Sequence, residues 1–178
     1  MMRARRQLRR RDLLGWPLLL GLPGCGFHPL YATNDSGSGP ARAGLGLISV
    51  ALMPERVGQL LRQALQARFD HGDAPPAKRF DLAVSFGIAQ SALGVQHDTA
   101  ATRLRFIGAA TWTLVTRDAT RATVIAGIAR TVDGLNIFDQ QYFAADIETE
   151  TVNRRIAENI ADQITAQLAL YFEKHPVG

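Results

Sequence analysis

The sequence predicts an α+β fold: a two-layer sandwich in which a four-stranded mixed sheet carries two helices on one face. Three observations lead there. A short apolar run is followed by a helical stripe and then by an alternating strand. Two β-rich runs flank a turn at Asp118-Ala119-Thr120. A long stripe of helical period closes the chain.

Leu47 to Met53 is a compact apolar run containing Ile48 and Val50, the pattern of a buried strand. Pro54 is placed to open a helix, where its missing N–H costs nothing. Val57, Leu60, Leu61, Ala64, Leu65 and Phe69 then recur at helical spacing. Gly72 supplies a C-terminal cap, and Pro75-Pro76 forbid continuation. Phe80 to Ala92 alternates Phe80, Leu82, Val84, Phe86 and Ile88 against small or polar residues, as a half-buried strand does. Leu93 to Ala101 reads as a loop.

Arg103–Arg117 and Arg121–Asp133 form a predicted hairpin whose type I turn starts at Asp118. With Arg117 opposite Arg121, the core face takes Leu104, Phe106, Ala110, Trp112 and Leu114 with Val124, Ala126, Ile128 and Val132. The other face takes Arg103, Arg105, Ile107, Ala109, Thr111, Thr113 and Val115 with Thr123, Ile125, Ala129, Thr131 and Asp133. Arg105 then sits opposite Asp133, a cross-strand charge pair. Arg130 falls on the core face in this register, a misfit that a bulge or a one-residue shift would remove. From Ala145 to Lys174, Val152, Ile156, Ile160, Ile164, Leu168 and Tyr171/Phe172 form one apolar helix stripe. Asp146, Glu148 and Glu150 favour the positive end of that helix.

Ahead of this domain the chain changes character. Arg3, Arg5, Arg6, Arg9, Arg10 and Arg11 precede residue 25, opposed only by Asp12. Taking these from the 20 basic and 16 acidic side chains leaves 14 against 15, so the body is nearly neutral. The pI near 9.8 therefore belongs to the N-terminal segment, and the body has no electrostatic footprint for nucleic acid. Leu13 to Leu22 is an apolar run of roughly 15 Å as a helix, half of the roughly 30 Å a bilayer core needs. This is the shape of a signal peptide over residues 1–24.

Leu22-Pro23-Gly24-Cys25 resembles a bacterial lipobox, with cleavage between Gly24 and Cys25. Pro23 departs from the usual Ala, Ser or Thr. Cys25 is the single cysteine and has no internal disulfide partner. The lipobox pattern implies diacylglycerol on its sulfur and an acyl chain on the new N-terminus, enough to anchor stably. Gly26, where an Asp would signal inner-membrane retention, points by analogy to the outer membrane. Arg10-Arg11-Asp12-Leu13-Leu14 leaves the general secretory and twin-arginine export routes both open. Residues 25–44 read as a lipidated N-terminus and flexible linker, and 45–178 as one domain.

Little in the chain reads as catalytic. His28, His71, His97 and His175 lack metal-ligand spacing, and no HExxH, CxxC or phosphate-binding glycine loop is present. The expectation is no enzyme, no metal and no cofactor beyond the covalent lipid.

Two segments carry a family resemblance. Cys25-Gly26-Phe27-His28-Pro29-Leu30-Tyr31 is similar to a CGFxPLY signature that follows the lipidated cysteine of the LPS-assembly lipoprotein family, LptE, in its alphaproteobacterial form. Arg154 to Ile164 with Leu168-Ala169-Leu170-Tyr171-Phe172 is similar to that family's C-terminal helix. The resemblance implies a plug-like subunit seated in the outer-membrane β-barrel LptD, assisting barrel assembly and lipopolysaccharide delivery to the cell surface. Arginine engages phosphate bidentately, so Arg103, Arg105 and Arg117 are candidate contacts for lipopolysaccharide. Phe27, Pro29, Leu30 and Tyr31 are candidate barrel contacts; interfacial aromatics resting on headgroups is the alternative. The alternative function is an auxiliary lipoprotein of another envelope lipid-transport system.

Overall fold

The computed structural model describes residues 39–70, 77–95, 101–136 and 142–177. Gly24, Cys25, Phe27, Pro29, Leu30 and Tyr31 lie outside the described residues, as do Gly72 and Pro75-Pro76. Seven elements follow in order: α1 (Pro40–Gly46), β1 (Ile48–Val50), α2 (Arg56–Phe69), β2 (Phe80–Val95), β3 (Ala101–Thr116), β4 (Thr123–Asn136) and α3 (Tyr142–Lys174). The strands form one mixed sheet in the order β1-β2-β3-β4. β1 runs parallel to β2, and the other pairs are antiparallel. The α+β sandwich is as expected, with one helix more than the sequence indicated.

That helix corrects the linker boundary. Pro40 opens α1, and Ala41 and Leu45 are buried within the core. Gly44 is there because the Phe172 ring of α3 lies directly on it; any Cβ would overlap the ring. A Gly-, Ala- and Pro-rich stretch reads as linker by composition, yet here small residues are what allow close helix packing. The predicted loop at Leu93–Ala101 also shrinks, since β2 reaches Val95 and β3 begins at Ala101.

α2 begins two residues after Pro54, with Glu55 as its N-cap residue at φ 65°. Its buried side, Gly58, Leu61, Leu65 and Phe69, meets α3 and the sheet. α3 supplies Val152, Ile156, Ile160, Ile164, Leu168 and Phe172, all but fully buried, as its stripe predicts. Because α3 starts at Tyr142, Asp146, Glu148 and Glu150 fall beyond its first turn. Glu150 instead pairs with Arg56 of α2 at 2.6 Å, and Asp162 with Arg68 at 2.7 Å. Both pairs span the same 94 residues of sequence, so α2 and α3 run parallel and in step.

The hairpin register needs the largest correction. The expected alignment holds at the turn, where Val115 faces Thr123 and Thr116 N–H donates to the Ala122 carbonyl. A bulge between Leu114 and Val115 then shifts every later pair by one residue. Leu104 pairs Leu135, Phe106 pairs Asp133, and Arg105 faces Gly134 rather than Asp133. Asp133 therefore lies on the helix side, where it binds Arg155 of α3 at 2.9 Å. Arg130 moves to the open face, which removes the misfit noted above.

The shift also exchanges large for small residues on β4. Gly127 and the buried Ala129 pass beneath α3, while Ile128 and Val132 are left 72% and 50% exposed. The neighbouring strand complies, since Gly108 leaves the room that the Ile156 side chain fills. Close approach of α3 is thus obtained by turning the larger aliphatics outward.

Candidate functional site

One sheet face is covered by helices and the other is open. The open face is lined by Ala83, Ser85, Gly87 and Ala89 of β2, Ala109 and Thr111 of β3, and Ala126, Ile128 and Val132 of β4, all exposed. Ile107 and Val115 are half-buried on the same face. Small and apolar residues predominate, so the face offers little to solvent and much to a complementary surface.

Arg103 and Arg105 stand on this face at one end of β3, both exposed. Among the described residues neither has a hydrogen-bond or ion-pair partner. Arg130 shares the face, opposite Ala109. Sequence reasoning missed it because the bulge lay hidden; the signal available was its poor fit to the core side. Arg117 belongs elsewhere. It follows the far end of β3, about 40 Å from Arg105 at roughly 3.3 Å per residue. There Asp81 holds it at 3.2 Å, with Arg121 at 3.5 Å on the same carboxylate. The structure therefore brings Arg103 and Arg105 together and leaves Arg117 out.

A cleft of about 370 Å³ opens at the Arg117 end, lined by Lys78, Arg79, Phe80, Thr116, Arg117 and Asp118. Its charged groups are engaged by local partners, Arg117 by Asp81. Lys78 Nζ donates to Asp70 and to the Gly46 carbonyl. Hydroxyl donors on Thr120 and Thr116 hold the Asp118 carboxyl below the usual carboxylate range. The donor set stabilises a turn. No group of three or more potential metal ligands occurs among the described residues, and no described helix is long and apolar enough to cross a membrane.

Taken together, the architecture defines the class: a one-sided α+β sandwich whose open sheet face, rather than a cleft, is the candidate working surface. The family model LptE, described as lipopolysaccharide-assembly, matches residues 46–168, and the chain belongs to that family. Comparison with curated proteins finds no match. Among solved structures the chain is similar to a protein from Caulobacter crescentus CB15 described as a lipoprotein. The TM-score is 0.63 at 23% identity, covering 79% of this chain and 100% of the other. It is also similar to rare lipoprotein B from Shewanella oneidensis, with TM-score 0.50 and 12% identity over 70% of this chain and 92% of that one. At these identities the likeness is one of fold.

Proposed function

We propose that this LptE-family chain is a non-catalytic outer-membrane lipoprotein, anchored through acylated Cys25 and facing the periplasm. In this reading it is seated against an LptD-like β-barrel, where it assists barrel assembly and lipopolysaccharide delivery. The observation that carries the reading, beside the family match over residues 46–168, is the open sheet face with Ile128 and Val132 turned outward. A surface so built is stable in water only at a cost, and enclosure by a partner removes that cost.

The test is affinity isolation of the tagged full chain from detergent-solubilised outer membranes. Co-isolation of a large β-barrel is the expected result. Recovery of an inner-membrane transporter complex instead would favour the auxiliary lipoprotein of a different lipid-transport system. Within the same reading, Arg103 and Arg105, joined by Arg130, contact phosphates of lipopolysaccharide. Charge-assisted hydrogen bonds contribute about 1.5–3 kcal/mol each, so Arg103→Ala with Arg105→Ala should weaken binding in vitro about tenfold or more. Binding that stays unchanged would return these arginines to ordinary solvated surface.

A further inference from the structure

The two edges of the sheet are finished differently. On β4, the outward backbone groups are met by side chains. Gln163 of α3 accepts from the Arg130 N–H and donates to the Arg130 carbonyl, Gln167 donates to the Ile128 carbonyl, and Asp133 accepts from the Gly134 N–H. Such capping blunts an edge that would otherwise recruit strands.

On β2, β1 covers only Phe80 to Leu82. The last bond onto this edge runs from the Ala51 N–H to the Leu82 carbonyl, after which the chain turns away through Pro54 and Glu55 into α2. Backbone groups of Phe80 and Leu82 face β1. By alternation, those of Val84, Phe86, Ile88 and Gln90 face outward along the same line. Among the described residues nothing bonds to them.

Two features of the sequence make this edge receptive. From Leu82 to Val95 it holds no charged residue and no proline, the usual guards of an edge. Burial of the helix-side row also lapses where β1 stops. Leu82 is fully buried, whereas Val84, Phe86 and Ile88 are only half-buried. The opposite side offers Ala83, Ser85, Gly87 and Ala89, none larger than Ser. A strand laid here would pair its backbone with β2, place one set of alternate side chains beside Val84, Phe86 and Ile88, and pass the other over small residues.

We propose that β2 above Leu82 is a strand-docking edge whose occupant is an extended segment of a β-barrel membrane protein that has not yet closed. Strands of such barrels alternate apolar and polar residues with period two, which is the pattern this edge fits. Before closure their own edges are unpaired. β1 already pairs with the lower part of this edge, so its geometry accepts a strand. The inference rests on the barrel-assembly reading and adds the contact through which assembly is assisted.

Amide hydrogen exchange on the full chain, alone and co-isolated with the barrel whose assembly is stalled before closure, tests it. In the isolated chain the outward amides of Val84, Phe86, Ile88 and Gln90 exchange fast, while Arg130, held by Gln163, is slower. In the complex the β2 amides slow about tenfold or more, a change equivalent to about 1.4 kcal/mol of protection. Gln90→Pro, which removes an outward donor without touching the β3 ladder, should cut barrel recovery by a similar factor. Should Gln90→Pro fail to fold, Gly87→Lys, where a side chain meets open space, is the second variant. Barrel recovered with unprotected β2 amides and insensitive to these variants overturns this inference and spares the functional reading. No barrel recovered from the unmodified chain overturns both. Protection already present in the isolated chain also overturns the inference, because a second copy or the chain itself then fills the edge.

Discussion

The Asp118 carboxylate accepts four hydrogen bonds, from the hydroxyls of Thr116 and Thr120 and from the backbone N–H groups of Thr120 and Arg121. Together they hold Arg121 at φ 45°, a left-handed conformation that a non-glycine residue adopts only when its surroundings demand it. The sequence indicates the turn, because Asp opens type I turns by this kind of local bonding. The same bonds depress the carboxyl pKa, with Thr120 the largest cause and Thr116 next. A depressed folded-state value means stability that is complete above the ordinary aspartate pKa and lost as pH falls through the lowered one. Asp118→Ala should therefore destabilise the protein at pH 7 and do so less at strongly acidic pH. Urea midpoints of both forms at the two pH values would check this. An equal loss at both would mean that the charge is irrelevant to the turn.

At the scale of elements, period-based reasoning succeeds where one pattern runs unbroken and fails where it is interrupted. The α3 stripe from Val152 to Phe172 is legible because every fourth residue or so must face the core. The hairpin is legible as a hairpin, yet one bulge at Leu114/Val115 reverses the facing of β4, and alternation alone does not reveal where a bulge falls. Arg103 and Arg105 were legible as open-face residues because β3 is regular beyond that point; Arg130 was not, because it lies on β4. Gln163 and Gln167, four residues apart on α3, look like solvated helix positions until the strand edge beneath them is seen. Their bonds to β4 are exposed, so Gln163→Ala should cost about 1 kcal/mol in urea unfolding. The larger expected effect is on association. With Gln163→Ala and Gln167→Ala combined, β4 regains free donors and acceptors and should self-associate at concentrations where the parent stays monodisperse. Sedimentation velocity over a concentration series reads this directly. Unaltered sedimentation would show that the glutamines do not protect the edge.

For the molecule as a whole, the question is which residues the core requires. Every buried core residue described lies between Ala41 and Phe172. The described part of the chain before Pro40 contributes one backbone bond, from the Ala43 N–H to the Gly39 carbonyl. α1 behaves differently. Leu45 is fully buried, Gly44 is overlaid by Phe172, and the Gly46 carbonyl accepts from Lys78. Burying a leucine contributes about 1.5–3 kcal/mol, and uncovering the Phe172 ring adds a loss of similar size. A chain starting at Gly39 keeps all of these contacts. One starting at Leu47 should lose about 3 kcal/mol or more, a large share of the roughly 5–15 kcal/mol typical of a domain. Equal stability of the two truncations would put the domain boundary back at the linker end read from composition. The expected result has a functional corollary. If the fold closes at α1, the acylation proposed for Cys25 would act by placing the domain rather than by stabilising it. Cys25→Ser should then release a protein of unchanged melting temperature from the membrane fraction. A lowered melting temperature would mean that the anchor segment packs against the domain and that tether and fold are not separable.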